Sequence, residues 1–328
     1  MNFKYLIFWS LLVFINPVYA QQKSISLSSP KSIASLKKNY AYALIDADND
    51  NVAWIEYYTS TLFVYDIRQD QTKKIQLKKG HGPGEYTAIT DLFIKGQSVY
   101  LADPKNNKVI IVNIRTGQKR DIPFRKHKVF RMARAKNGFF LLENSLPNVL
   151  ISYHSLKNGR TYALNNDDFD VRKEFSNPFF RDGYLLSDKE RAFLVTKYLP
   201  NVYIYNNVTK GFDKKVKFDQ SEVETVPAQK MSNGAKAIYP PTKVDVATED
   251  ATYLAQRPNS IFLLSRGATD NRDYELDKLY EYDFKRQKFV DTYDLGTMVD
   301  EITSNENYVF AYSKQKNKIF KYKILTTK

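Results

Sequence analysis

The sequence predicts an all-β protein: a six-bladed β-propeller of four-stranded antiparallel blades, its ring closed by an N-terminal strand. Three observations lead there. An alternating aromatic–aliphatic phrase recurs six times, as LFVYDI from Leu62, VIIVNI from Val109, VLISYH from Val149, VYIYNN from Val202, LYEYDF from Leu279 and IFKYKI from Ile319. Most of the steps are near the spacing of about 40 to 50 residues that marks propeller blades. The aromatic content of 14%, with 24 Tyr and 21 Phe, favours strands, and after the N-terminus no long stretch has a helical period.

The chain opens with a segment that reads as a signal peptide, residues 1–20. Lys4 gives a positive start, Tyr5 to Ile15 form an apolar run too short to span a bilayer, and Val18 and Ala20 fit a small-residue cleavage site after Ala20. Residues 21–39 are a polar lead-in with two alternating runs, and residues 40–328 form the propeller. No later segment is long and apolar enough to cross a membrane.

Each copy of the phrase follows another strand candidate: NVAWIEY from Asn51, SVYLAD from Ser98, GFFLLE from Gly138, AFLVTKY from Ala192, SIFLLS from Ser260 and YVFAY from Tyr308. Ahead of these lies a third set: YALID from Tyr42, ITDLFI from Ile89, FRMAR from Phe130, GYLLS from Gly183, ATYLA from Ala251 and VDEIT from Val299. A more polar strand closes the unit, as in KKIQL from Lys73 and KRDIPF from Lys119. Inner strands of a propeller blade are covered on both faces and tolerate continuous apolar runs, while the outermost strand meets solvent and tolerates charge. The sixth unit has no fourth strand before Lys328, so KSISLS from Lys23 or KSIASL from Lys31 is expected to supply it. A β-sandwich or a pair of smaller β domains is the alternative fold. Neither has a reason to repeat a four-strand phrase in phase.

The best-preserved unit runs from Gly80 to Phe124 and begins with the joint Gly80-His81-Gly82-Pro83-Gly84-Glu85-Tyr86. Glycines permit positive φ where the chain turns from an outer strand to the next blade, Pro83 stiffens the turn, and Tyr86 is expected to wedge between blades. Asp103 and Asn106 or Asn107 suit a turn in which short polar side chains bond nearby backbone N–H groups. Together with Val99-Tyr100-Leu101-Ala102-Asp103-Pro104-Lys105-Asn106-Asn107-Lys108-Val109, the joint resembles the NHL repeat, and the chain is similar to secreted bacterial six-bladed propellers described as NHL- or TolB-like. The resemblance is specific over about one blade. It implies the propeller fold. It also raises zinc-dependent lyase activity, which in such propellers needs several histidines around the channel, and lactonase activity, which needs a Glu and several Asn or Asp there.

Against those chemistries, the chain has three histidines, His81, His127 and His154, in no short-spaced ligand pair, and no cysteine. It carries neither a G-x-S-x-G elbow nor a phosphate-binding P-loop. Asp46, Asp48 and Asp50 have the opening spacing of a calcium loop, but Asn51 stands where glycine is wanted and Tyr57 where a bidentate Glu is wanted. A polar hairpin turn is the expected reading, and these three are the weak candidates for a divalent cation such as calcium. No cofactor is otherwise predicted. Asp245, Asp300 and Glu301 lie near inner-strand candidates.

Two insertions break the repeat: Asp219 to Lys243 between blades four and five, and Arg266 to Lys278 within blade five. Interblade connections and second-to-third-strand connections emerge on one face of a propeller, so both insertions and the Gly80 joint belong to that face. Long loops on a rigid scaffold carry binding, which nominates Tyr239, Arg266, Arg272 and Tyr274 as ligand contacts, with no catalytic residue. The formal charge is +14, of which Lys4 contributes one, and it favours acidic partners: anionic glycan, lipid headgroups or an acidic protein. The function expected is an exported binding or protein-interaction module in the periplasm, at the cell surface or secreted. It is a monomer with a protein or acidic-glycan partner in the cell envelope, binding no nucleic acid and not an integral membrane protein. The alternative is a metal-dependent hydrolase or lyase with its site in the central channel.

Overall fold

The computed structural model describes residues 25–36, 43–56, 59–124, 128–146, 149–164, 177–188, 190–219, 223–225, 229–231, 236–239, 241–269 and 272–326. Six antiparallel sheets surround a central channel, each with its first strand innermost. Blade one runs through Ala43–Ala47, Asn51–Glu56, Thr61–Asp66 and Gln71–Gln76. Blade two follows with Asp91–Lys95, Ser98–Asp103, Lys108–Asn113 and Lys119–Pro123. Blade three is Val129–Ala135, Gly138–Leu146, Val149–Ser155 and Thr161–Leu164, and blade four is Gly183–Ser187, Arg191–Thr196, Asn201–Asn206 and Gly211–Lys217. Among the described residues the one helical segment is a short 3-10 turn, Pro178–Arg181.

Blade five is Val246–Thr252, Ser260–Thr269, Lys278–Asp283 and Lys288–Asp294. Its inner strand starts five residues before the expected Ala251. The reason is local: burial alternates along Val246–Asp250, because every second side chain looks into the channel, and such a polar alternation reads as loop. Blade six is Glu301–Ser304, Tyr308–Ser313 and the long Lys318–Thr326.

Both candidate closing strands are used. Ile25–Leu27 pairs with the far end of the last strand, Ile25 opposite Thr326, and Lys31–Ser35 pairs with its near end, Ser35 opposite Lys318. Pro30, which lacks an N–H, stands between them, and Ser28 bridges the gap: its N–H donates to the Lys323 carbonyl at 2.9 Å and its hydroxyl accepts the Lys323 N–H at 2.8 Å.

The core is six apolar clusters, one per interface between neighbouring blades. Strand periodicity explains why the second strands are apolar throughout: Phe139 and Leu141 face blade two, while Phe140 and Leu142 face blade four. The Asp or Asn that ends many third strands has its own cause. Asp66, Asn113, Asn206 and Asp283 each accept a backbone N–H from the following turn at 2.8–2.9 Å. Residues with positive φ, Asp70 and Gly117 among them, complete those turns.

The glycine-rich joint is structural, as its residues predict. Gly80, at φ +152°, holds a backbone conformation that strains any side chain, and a Cβ there would displace the Glu85 carboxylate. Glu85 accepts the Gly82 N–H at 2.9 Å and pairs with Lys78 at 2.5 Å. Tyr86 is buried between blades one and two, and its hydroxyl donates to Ser60 at 2.7 Å. Asp103, fully buried, accepts from the Thr87 N–H and the Asn106 amide, both at 2.8 Å, and from the Ala88 and Asn106 N–H groups at 3.3 Å. Asp103→Ala strands these donors, so it is expected to cost about 3 kcal/mol in a denaturant melt, with Asp103→Asn losing less. Equal stability of Asp103→Ala and wild type would show that the joint does not order blade two.

Candidate functional site

The innermost strands deliver one or two side chains each into the channel. In the wall of a cavity of about 120 Å³ stand Asp46 from blade one, Asp91 from blade two, Arg131 and Arg134 from blade three, Tyr184 from blade four, Asp250 from blade five and Glu301 from blade six. Toward the face of the interblade connections the channel opens into a funnel of about 780 Å³. Arg131, Tyr184 and Glu301 line both spaces and mark where one becomes the other.

Most channel carboxylates join one blade to the next. Asp46 accepts the Ile94 N–H at 2.8 Å and the Thr303 hydroxyl at 2.9 Å, with Arg134 3.7 Å away. Asp91 accepts the Met132 N–H at 2.6 Å. Asp250 accepts the Ile302 N–H at 2.5 Å and its neighbour Ala251 at 2.7 Å. Arg131 donates to the Thr90 carbonyl at 3.2 Å and lies 5.5 Å from the centre of the Tyr184 ring.

Burial raises the carboxyls despite these bonds. Asp91 and Asp250 are each pushed up to about 7 by desolvation, which outweighs their backbone hydrogen bonds and the attraction of Arg131. Glu301 is pushed well above the carboxylate range by burial and by neighbouring Asp250. Burial also drives the Tyr184 hydroxyl upward. Arg131 is pulled down by burial, but the facing acids, Asp91 first, more than restore its charge.

At the rim, Arg266 pairs with Glu249 at 2.6 Å, Lys197 approaches the same carboxylate at 3.9 Å, and Asp300 accepts the Lys314 N–H at 2.7 Å. Arg266 is the one of the four nominated contacts that lines the funnel, and its side chain is 64% exposed. Tyr239 is exposed in the blade four–five insertion, where the strand pairs Val223–Glu224 with Lys243–Val244 and Gln229–Lys230 with Lys236–Ala237 make a hairpin arm. The other two are turned into packing. Arg272–Tyr274 folds back antiparallel on Gly267–Thr269, which buries Tyr274, directs its hydroxyl to Asp219, and lays the Arg272 guanidinium 4.3 Å from the Phe289 ring centre.

Asp46, Asp48 and Asp50 diverge. Asp46 faces the channel, Asp48 accepts the Asn51 N–H at 2.8 Å and the Gly96 N–H at 2.8 Å, and Asp50 pairs with Arg68 at 2.7 Å. They act as a hairpin turn, not as one ligand set. Among the described residues no three His, Cys, Asp or Glu are grouped to hold a metal. His154 is buried and bonded to Thr161 at 3.0 Å, His81 contacts Asn106 at 2.8 Å, and His127 lies outside the described residues.

Sequence reasoning named Glu301 and Asp300 near this region but missed Asp91, Arg131, Tyr184, Glu249 and Asp250. The signal available was a charged residue early in an otherwise apolar first strand, as in TDLFI and FRMAR; the polar TEDAT carried no such signal.

Six four-stranded sheets around a polar channel define a six-bladed β-propeller. The chain belongs to the DUF5128 family, described as a 6-bladed beta-propeller, whose family model matches residues 42–248. No curated protein matches the sequence. Among solved structures, a duf4221 family member from Bacteroides vulgatus aligns with TM-score 0.55 at 10% identity, over 94% of this chain and 99% of its own. A protein of unknown function from Bacteroides thetaiotaomicron aligns with TM-score 0.56 at 11% identity, over 93% of this chain and 77% of its own. A streptogramin B lyase aligns with TM-score 0.51 at 11% identity, over 92% of this chain and 98% of its own. At such identities the likeness concerns the fold alone. No helix among the described residues is long and apolar enough to cross a membrane.

Proposed function

We propose that this propeller is an exported binding module of the cell envelope, whose ligand or protein partner seats in the funnel on the face of the interblade connections. The single observation that carries the reading is the 780 Å³ funnel, built by side chains from all six blades and opening into a polar channel. Its rim holds Arg266 and Lys197 around Glu249, and the hairpin arm with Tyr239 leaves from the same type of connection. The resemblance of the Gly80–Val109 stretch to the NHL repeat of secreted propellers, and the signal-peptide pattern of residues 1–20, support the envelope setting. The charge of +14 favours an acidic protein or glycan over a neutral one as the outer partner.

The test is capture from native envelope extract by immobilised residues 21–328 and by an Arg266→Glu/Lys197→Glu variant. Both substitutions are at the rim, whereas removing residues 266–278 would take the buried Tyr274 out of the core. Loss of a specific captured component in the folded variant is expected; undiminished capture would refute the funnel as the site.

A second reading, a metal-dependent hydrolase or lyase working in the channel, draws support from the four carboxylates that line it from blades one, two, five and six. Three of them accept backbone N–H groups, which leaves few oxygens for a metal. Stoichiometric calcium or zinc retained through dialysis would favour this reading.

A further inference from the structure

At the base of the funnel, Glu301 differs from the acids around it. Asp250 gives both carboxylate oxygens to N–H groups, and Asp91 gives one to the Met132 N–H. Among the described residues no hydrogen bond or ion pair engages the Glu301 carboxyl, which stands in the fields of Asp250, Arg131, Asp91, Asp300, Tyr184 and Tyr312. It nevertheless lines both the funnel and the channel.

Four carboxyls, Asp46, Asp91, Asp250 and Glu301, here face two guanidiniums: Arg134, 3.7 Å from Asp46, and Arg131, already engaged with Thr90 and the Tyr184 ring. Once ionised, that majority repels an anionic group at the channel mouth and attracts a cationic one. A divalent ion needs several converging oxygens in fixed geometry, and no such group is formed by the described residues. An ammonium group needs less: three donors on a compact charge can share an irregular set of acceptors, and an aromatic face adds attraction.

We propose that the base of the funnel is a subsite for a primary ammonium group, received by Glu301 with Asp91, Asp250 and Tyr184 around it. The ligand is thus an amine, even though the protein as a whole is strongly basic. This rests on the funnel being the binding site.

Ammonium binding requires ionised carboxyls, so it strengthens as the pH rises. The groups that set this response are Asp46 on blade one, Asp91 on blade two, Arg131, Arg134 and Glu143 on blade three, Arg181, Asp182, Tyr184 and Lys197 at blade four, Glu249, Asp250 and Arg266 on blade five, and Asp300, Glu301, Tyr312 and Lys314 at blade six.

The test is calorimetric titration of residues 21–328 with butylammonium chloride, with sodium butyrate and sodium chloride as controls at matched ionic strength. Saturable binding of butylammonium alone is expected, weaker at pH 5 than at pH 8. Glu301→Gln should lose roughly tenfold to a hundredfold in affinity, the worth of a charged hydrogen bond. Glu301→Asp, which keeps the charge on a shorter stem, should retain part of it. Circular dichroism checks that both variants fold. Absence of saturable butylammonium binding at pH 8, equal binding of butyrate, or unchanged affinity in Glu301→Gln would each overturn the subsite. If the amine fails while the Arg266→Glu/Lys197→Glu variant loses envelope capture, the funnel survives as the site without its ammonium pocket. If capture is also unchanged, both fall.

Discussion

Removing residues 21–36 lowers the melting temperature by at least about 10 °C, or prevents folding, because Ile25–Leu27 and Lys31–Ser35 complete the sixth blade. Ile25 and Leu36 are 7% and 6% exposed, and belong to the interfaces of blade six with blades five and one, respectively. Losing them removes about 2 kcal/mol of burial each. It also unpairs the long strand Lys318–Thr326 along its outer edge and opens a ring whose stability depends on every interface being closed. A truncation of residues 21–30 removes only the first of the two closing strands and should fall between wild type and the full deletion. A thermal melt followed by circular dichroism decides it, and an unchanged midpoint for the full deletion would mean that the ring closes without its N-terminal strands.

The folded protein loses stability between pH 5 and pH 8. The sign follows from Asp91 and Asp250, each raised by burial from an ordinary 3.8 to about 7. In that interval the folded state holds protons that the unfolded chain has released, so the stabilisation is complete below about 4 and fades as the pH passes 7. Each group accounts for at most about 4 kcal/mol, less whatever relaxation and water in the channel recover. Glu301 acts in the same direction. Asp70 and Glu85 act oppositely, since hydrogen bonds from Tyr65 and Lys78 respectively lower them, but only in more acidic solution. Chemical denaturation at pH 5, 6, 7 and 8 should therefore show a declining midpoint. Asp91→Asn/Asp250→Asn, which keeps an acceptor oxygen toward Met132 and Ile302, should flatten the decline and exceed wild type at pH 8. A wild-type midpoint that is flat or rises with pH would contradict the burial of these groups. An ammonium ligand at Glu301 would oppose the decline by favouring the ionised acids, which links this profile to the proposed subsite.

The two expectations draw on different parts of the fold. The N-terminal strands are a matter of sheet pairing, which a strand's own residues announce. The carboxyls are a matter of what stands across the channel, which depends on six separate strands arriving at one axis. Arg272 and Tyr274 illustrate the same divide. Arg266 and Leu276 of their connection line the funnel wall. Yet a short strand pair folds back and spends Arg272 and Tyr274 on Phe289 and Asp219. The calcium-like spacing of Asp46, Asp48 and Asp50 dissolves for a simple reason: alternate residues of a strand share a face only while the strand continues, and here it ends at Ala47, so three carboxylates leave in three directions.

The sequence by itself determined the architecture of this protein. The recurring four-strand phrase, the turn-forming Asp and Asn after third strands, the Gly80 joint and the need for N-terminal closure are local or periodic features, written in side-chain alternation and backbone preference. Only the tertiary structure decided the site. Asp91, Arg131, Tyr184, Asp250 and Glu301 are separated by tens to hundreds of positions, and nothing in any one blade says which inward-facing residue of another it will meet. Their shifted proton affinities, and the free carboxyl of Glu301, come into being only when six strands exclude water from a common axis.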